Sequence, residues 1–241
     1  MRGDTRGQSH VIGVAVLMGI TVIALAGLTA GIGTLVESNA ASADSTRVAD
    51  DLSTALEPVE TTGHHRGEVG FTDGRLRTVE REVRILNETG VVRRVDAGGL
   101  VFEAGDRRVS YVDDAIVRQS GTNTWLHEPP SLTTGRDGGV LIASVARLNA
   151  SDVAVSGERS SAVTLATNVS HERTELGTDT YGVAIETKTP RPLERWFRER
   201  NATVSRRDFD GDGVESVVGR FPGNRTGYLV VHDMHLEVAD G

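Results

Sequence analysis

From Val11 to Val36 the chain runs without a single charged side chain, VIGVAVLMGITVIALAGLTAGIGTLV. A helix rises ~1.5 Å per residue, so this run crosses a hydrocarbon core of about 30 Å with some excess. It is longer than the apolar region of an ordinary secretory signal, and only the small-residue stretch Ala40–Ala43 follows it as a cleavage candidate. Arg2 and Arg6 precede the run, with Asp4 between them, and Glu37, Asp44, Asp50 and Asp51 follow it. Under the positive-inside rule the arginine-bearing side stays cytoplasmic, and the residues after Glu37 lie outside. The expectation is a single-pass protein of the cell membrane, touching lipid through this helix and carrying its C-terminal head outside.

The helix is expected to continue past the membrane. Val36 to Leu56 contains no Gly or Pro and is rich in Ala, and Pro58 comes just after it. Val48, Leu52, Ala55 and Leu56 fall at i, i+4, i+7 and i+8, one face of a helix, with Asp50, Asp51 and Glu57 off that stripe. A helix from Val11 to Leu56 is ~70 Å long. Gly27 and Gly31 form a GxxxG pair with Ala30 and Gly33 nearby, and small residues let helices approach closely.

Arg6-Gly7-Gln8-Ser9, placed directly before the apolar helix, resembles the class III signal of archaeal type IV prepilins. Ser9-His10-Val11-Ile12-Gly13 is similar to the haloarchaeal pilin start, with His10 where that pattern has Pro. The resemblance covers about the first 40 residues, by helix-span arithmetic. It implies that a membrane-bound prepilin peptidase cuts between Gly7 and Gln8 and that the apolar helix stays on the mature chain. It also implies partners, namely other pilin-like subunits packed helix against helix, in a type IV pilus-like filament or in adhesion. The head is larger than a compact major pilin requires, which points to a minor pilin or pseudopilin. The boundaries that follow are a leader over 1–7, a membrane-spanning and extended helix over 8–57, and an extracytoplasmic head over 58–241. An uncleaved, single-pass surface binding protein, stabilised by calcium, is the alternative.

The head reads as α+β: mainly antiparallel strands with one short helix. Thr61 to Gly67, polar and holding His64 and His65, reads as a connection. Val79, Arg81, Val83 and Ile85 alternate, as do Val163 with Leu165 and Tyr181 with Val183 and Ile185. Leu100-Val101-Phe102 ends at a Gly105-Asp106 turn before Arg107 to Val112. Val140 to Val145 is apolar except for Ser144, the texture of a strand buried on both faces. Glu128 to Gly139 reads as a loop, and Tyr228 to Val238 alternates without a break. Leu193, Trp196 and Phe197 make the apolar side of a helix whose first turn takes Pro190 and Pro192.

Five of the seven asparagines stand in N-glycosylation acceptor triplets: Asn87, Asn149, Asn168, Asn201 and Asn224. Chance would put about one there, and all five follow the helix, as an outside head requires. Net charge is −8, which disfavours a phosphate backbone, so nucleic acid is not an expected partner. Lys188 is the only lysine among 26 basic residues. That balance fits a GC-rich genome, a halophile's acidic lysine-poor surface, or both. There is no cysteine, so disulfides, thiol catalysis and thiolate metal sites are excluded.

The sharpest local motif is Asp208-Phe-Asp210-Gly-Asp212-Gly213. Asp208, Asp210 and Asp212 match positions 1, 3 and 5 of a Ca²⁺ loop and Gly213 matches position 6, but position 12 is Gly219 rather than Glu. The flanks, 202–206 and 214–218, read as strands. Two readings stand: a small calcium loop, with Glu215 contributing, or a solvated acidic hairpin turn that Arg206 and Arg207 partly neutralise. His232 and His235, three apart in a strand, point to opposite faces and form no chelate. No nucleophile elbow, dinucleotide fingerprint, P-loop or zinc-protease helix is present, so no enzyme activity and no catalytic residue is expected.

Overall fold

The computed structural model describes residues 6–135 and 139–240, with side chains except at 6–13, 30–38, 58, 158–160 and 240. The chain divides into two compact units, 1–40 and 41–241. One α-helix, α1 (Arg6–Leu56), opens it, followed by a 3-10 turn, Glu57–Glu60. The helix ends just ahead of Pro58, as the composition of 36–56 requires.

In the first unit the described side chains are those of 14–29 and 39–40. The membrane-spanning segment expected over 11–36 is not shown: among the described residues, no helix is long and apolar enough to cross a membrane. The ends of that run, 11–13 and 30–36, lie outside the described side chains.

The second unit is α+β. Its strands are β1 (Gly63–Val79), β2 (Glu82–Leu86), β3 (Val91–Asp96), β4 (Gly99–Ala104), β5 (Arg107–Val112), β6 (Ala115–Ser120), β7 (Asn123–Glu128), β8 (Leu132–Thr134), β9 (Gly139–Arg147), β10 (Ala154–Asp179) and β11 (Gly182–Glu186). The helix α2 (Pro190–Glu199) follows, and then β12 (Thr203–Arg207), β13 (Ser216–Arg220), β14 (Arg225–Asp233) and β15 (Glu237–Asp240). A ten-stranded sheet has the order β7-β6-β5-β4-β1-β10-β14-β9-β8, with β15 also on β10. A five-stranded sheet has the order β12-β13-β11-β2-β3. Among the described pairs only β9 with β14 is parallel.

The end of α1 belongs to the core of this unit. Val48, Leu52, Ala55 and Leu56, the stripe read from spacing, are buried together with Ala49 against Val69, Phe71, Leu76, Phe102 and Val163. Helix and strand touch closely at one point, where a Cβ on Gly67 would lie 2.3 Å from the Cβ of Ala55. Asp44, only 2% exposed, turns its carboxylate to β1 and accepts hydrogen bonds from the backbone N–H of Thr72 at 2.9 Å and Asp73 at 3.2 Å. Asp51 accepts that of Gly70 at 2.9 Å. These carboxylates satisfy strand amides beside the register shift at Phe71/Asp73.

A second core joins the sheets. Leu193, Trp196 and Phe197 of α2 pack with Val183, Ile185 and Val217 of the small sheet and with Leu141 and Val145 of β9. Gly219 is needed here, since a Cβ on it would meet the Phe197 ring at 2.2 Å.

Several readings of the strands change. The expected connection over 61–67 is strand from Gly63 on, because β10 supplies partners from Gly63↔Val169 onward. The alternation through Val79–Ile85 is cut at Glu80-Arg81, where β1 ends and β2 begins. Val140–Val145 is buried on one face only, with Val140 42% exposed. The last run breaks at Met234–Leu236, where His235 takes φ 43°. The loop over 128–139 contains β8, paired with β9.

Candidate functional site

The largest unusual surface is the helix over 14–29. Val14, Val16, Leu17, Met18, Ile20, Val22, Ile23, Leu25 and Leu28 are each between 55% and 74% exposed. At 100° per residue these positions go all the way round the helix, so the segment is apolar on every side rather than amphipathic. Its few hydroxyls are satisfied internally. Thr21 Oγ1 donates to Leu17 O and Thr29 Oγ1 to Leu25 O, both at 2.8 Å, the i−4 back-bonding open to a helical threonine. A Cβ on Gly19 or Gly27 would meet nothing within 4 Å, so both leave open notches. Gly31, the other half of the GxxxG pair, lies outside the described side chains, and so do those of Arg6, Gly7 and Gln8 at the expected cleavage position.

The acidic loop after β12 folds onto the small sheet. The ring of Phe209 packs between the guanidinium groups of Arg84 and Arg207, at 4.6 and 4.7 Å from its centroid. Asp208 accepts hydrogen bonds from the backbone N–H groups of Asp210, Gly211 and Gly213, at 3.2, 2.7 and 3.1 Å, and these hold its carboxyl below the usual range, Gly211 first. Asp212 accepts the N–H of Val214 at 2.8 Å. Asp210 turns away to Arg84, with Arg94 at 3.9 Å. The three aspartates of the calcium motif are therefore not brought to one point.

Among the described residues, the carboxylates that do come within 4.8 Å of one another belong to Glu82, Glu186 and Asp210. Arginines occupy the space among them. Arg84 pairs with Glu82 and Asp210, Arg94 pairs with Glu82, and Arg81 Nη1 stands 3.4 Å from Glu186 Oε1. These guanidinium groups and carboxylates make an ion-pair network that clamps the loop to β2 and β11.

A buried acidic turn went unread in the sequence. Asp113 and Asp114 join β5 to β6 as a two-residue hairpin with φ 53° and 61°, the geometry of a type I′ turn. Tyr111 Oη donates to Asp114 Oδ1 at 2.9 Å, while Asp113 Oδ1 and Asp114 Oδ2 are buried with no hydrogen-bond partner. Asp114 also lines a cavity of about 360 Å³ with Glu57, Glu60, Glu128, Tyr111 and Ser131, and among the described residues no basic side chain lines it. The usable signal was the two-residue gap between two alternating runs, but Asp-Asp lacks the glycine that usually marks such turns.

Burial first, and the Asp114 charge second, push the Asp113 carboxyl well above the ordinary range, against a backbone hydrogen bond from Ala146. A carboxyl whose folded pKa exceeds its unfolded one holds its proton more tightly in the folded chain. Its contribution to stability is full below about pH 4 and is lost as pH rises through the folded value. Asp113→Asn keeps a side chain that tolerates positive φ and removes the charge. It is expected to stabilise the fold at pH 8 by about 1–3 kcal/mol and to change little at pH 4, read by urea melts. An equal effect at both values would contradict this burial argument.

All five acceptor asparagines lie in the second unit. Asn149, Asn168, Asn201 and Asn224 are exposed and Asn87 is half-buried. Two are engaged by carboxylates: Asn87 Nδ2 donates to Asp179 at 2.9 Å and Asn149 Nδ2 to Asp233 at 3.1 Å. His232 does not meet His235. Strand pairing instead sets it directly across from His171, a partnership that the register of β10 on β14 creates and the sequence spacing does not reveal.

Residues 6–237 match the profile of a family described as a family of unknown function, DUF7289. No curated protein and no solved structure matches the chain.

Proposed function

The chain belongs to the DUF7289 family, and we propose for it the role of a pilin-like cell-surface subunit, a minor pilin or pseudopilin of a type IV pilus-like filament or adhesion system. The observation that carries this reading is the unequal burial of α1. Residues 48–56 are locked into the core of the second unit, while residues 14–29 present apolar side chains on every side. Covering the nine large apolar side chains named above is worth on the order of 10 kcal/mol or more at ~1.5–3 kcal/mol each. Such a surface calls for lipid or the same helix of another subunit. The proposed course is cleavage after Gly7 by a prepilin peptidase, insertion of the retained helix with the second unit outside the cell membrane, and lateral packing through the Gly19 and Gly27 notches. The acceptor asparagines of the second unit would carry the glycans, and no catalytic step is assigned.

A second reading is an uncleaved, membrane-anchored binding protein, and the acidic cavity beside Asp114 favours it, since such a site would receive a cationic group. Helix packing separates the two. The chain contains no cysteine, so single cysteines can be walked through 22–29 and oxidised in the native membrane. The filament reading expects dimers with helical periodicity, peaking on the face of Ile23 and Gly27, because a disulfide needs Cα atoms within about 7 Å. Monomer at every position would leave a lone anchor.

A further inference from the structure

His171 of β10 and His232 of β14 are directly cross-strand neighbours. Their Nδ1 atoms lie 2.8 Å apart, and the rings stand edge to face at 83° with centroids 4.8 Å apart. Two imidazole lone pairs cannot face each other at that distance without an electrophile between them. In the metal-free pair it is one shared proton. A metal ion bound by both nitrogens sits ~1.5 Å off the line between them, and a turn of each ring about its χ2 aims the two lone pairs at it; the neutral imidazole nitrogen is the commonest protein ligand for transition metals.

The geometry points to which ions. With metal–nitrogen bonds of ~2.0–2.1 Å, nitrogens this far apart subtend an angle of about 90° at the metal. That is a cis pair in a square-planar or tetragonal site, which suits Cu(II) and Ni(II), and it is narrower than the tetrahedral angle of structural zinc. We propose that His171 and His232 form a two-histidine site for a divalent transition metal of this kind, with water completing the coordination on the solvent side. His232 is 6% exposed and anchors the site from within, while His171 is exposed and leaves it open to solution. His232 Nε2 is buried, so Nδ1 is the nitrogen of that ring that an ion can reach.

The test is titration of the full chain in detergent with Cu(II), followed by calorimetry and by electron paramagnetic resonance. Wild type is expected to take one ion with a two-nitrogen signature, and His171→Ala to lose that signature and bind about tenfold more weakly or worse. His171 is exposed, so this variant keeps the fold, and a thermal melt checks it. A variant lacking His64 and His65, the other adjacent histidines, should keep the signature. Equal copper binding by wild type and His171→Ala, or a signal that disappears with His64 and His65 instead, overturns the proposal.

Discussion

Leu52→Ala is expected to destabilise the second unit by about 2–5 kcal/mol, while Leu17→Ala, in the same helix, leaves its stability unchanged. Leu52 is 0% exposed and sits among Val48, Leu56 and Phe71. Removing its branched end opens a cavity between helix and sheet that Gly67, already against Ala55, cannot close. Leu17 is 70% exposed and has no such neighbours. Urea melts in detergent, followed by the fluorescence of buried Trp196, read the difference directly. Equal effects at the two positions would mean that α1 does not divide its labour between core and surface.

The second large effect acts on placement rather than on stability. Ile20→Arg combined with Ile23→Arg puts two charges into the centre of the apolar stretch. Each costs roughly 2.5–3.5 kcal/mol on insertion, so the pair should lower membrane partition by about four orders of magnitude. The melt of the second unit should not move, since neither side chain belongs to its core. A doubly substituted chain still recovered in the membrane fraction would show that something other than 14–29 holds it there.

The sequence made α1 legible because two periodic signals overlap in it: an uncharged run, and then a stripe at helical spacing ending before Pro58. The helix α2 was legible for the same reason, with Leu193, Trp196 and Phe197 on one side and prolines in its first turn. The strands were found mostly where alternation faces a core, as in Val163 with Leu165. They were misjudged where the partner decides. Gly63–Gly67 becomes strand only because β10 is long enough to pair with it, and Val140 stays exposed although its sequence neighbours are apolar. The chemistry of the second unit was less readable still. Asp210 looked like a metal ligand by spacing, yet Arg84 and Arg94, far away in sequence, claim its carboxylate. Asp44, read only as one of the charges that follow the apolar run, accepts hydrogen bonds from strand amides. His171 and His232 are 61 residues apart, and only the register of β10 on β14 makes them neighbours. Long-range pairing of this kind leaves no mark in local periodicity.

Retention of the apolar helix on a chain processed as a pilin precursor would be written in the mature N-terminus. Protein recovered from its native membrane should, by intact mass and N-terminal peptide sequencing, begin at Gln8 with the stretch from Val11 onward still attached. A chain that begins at Met1 or Arg2, or one cut after the helix near Ala43, would contradict the pilin reading.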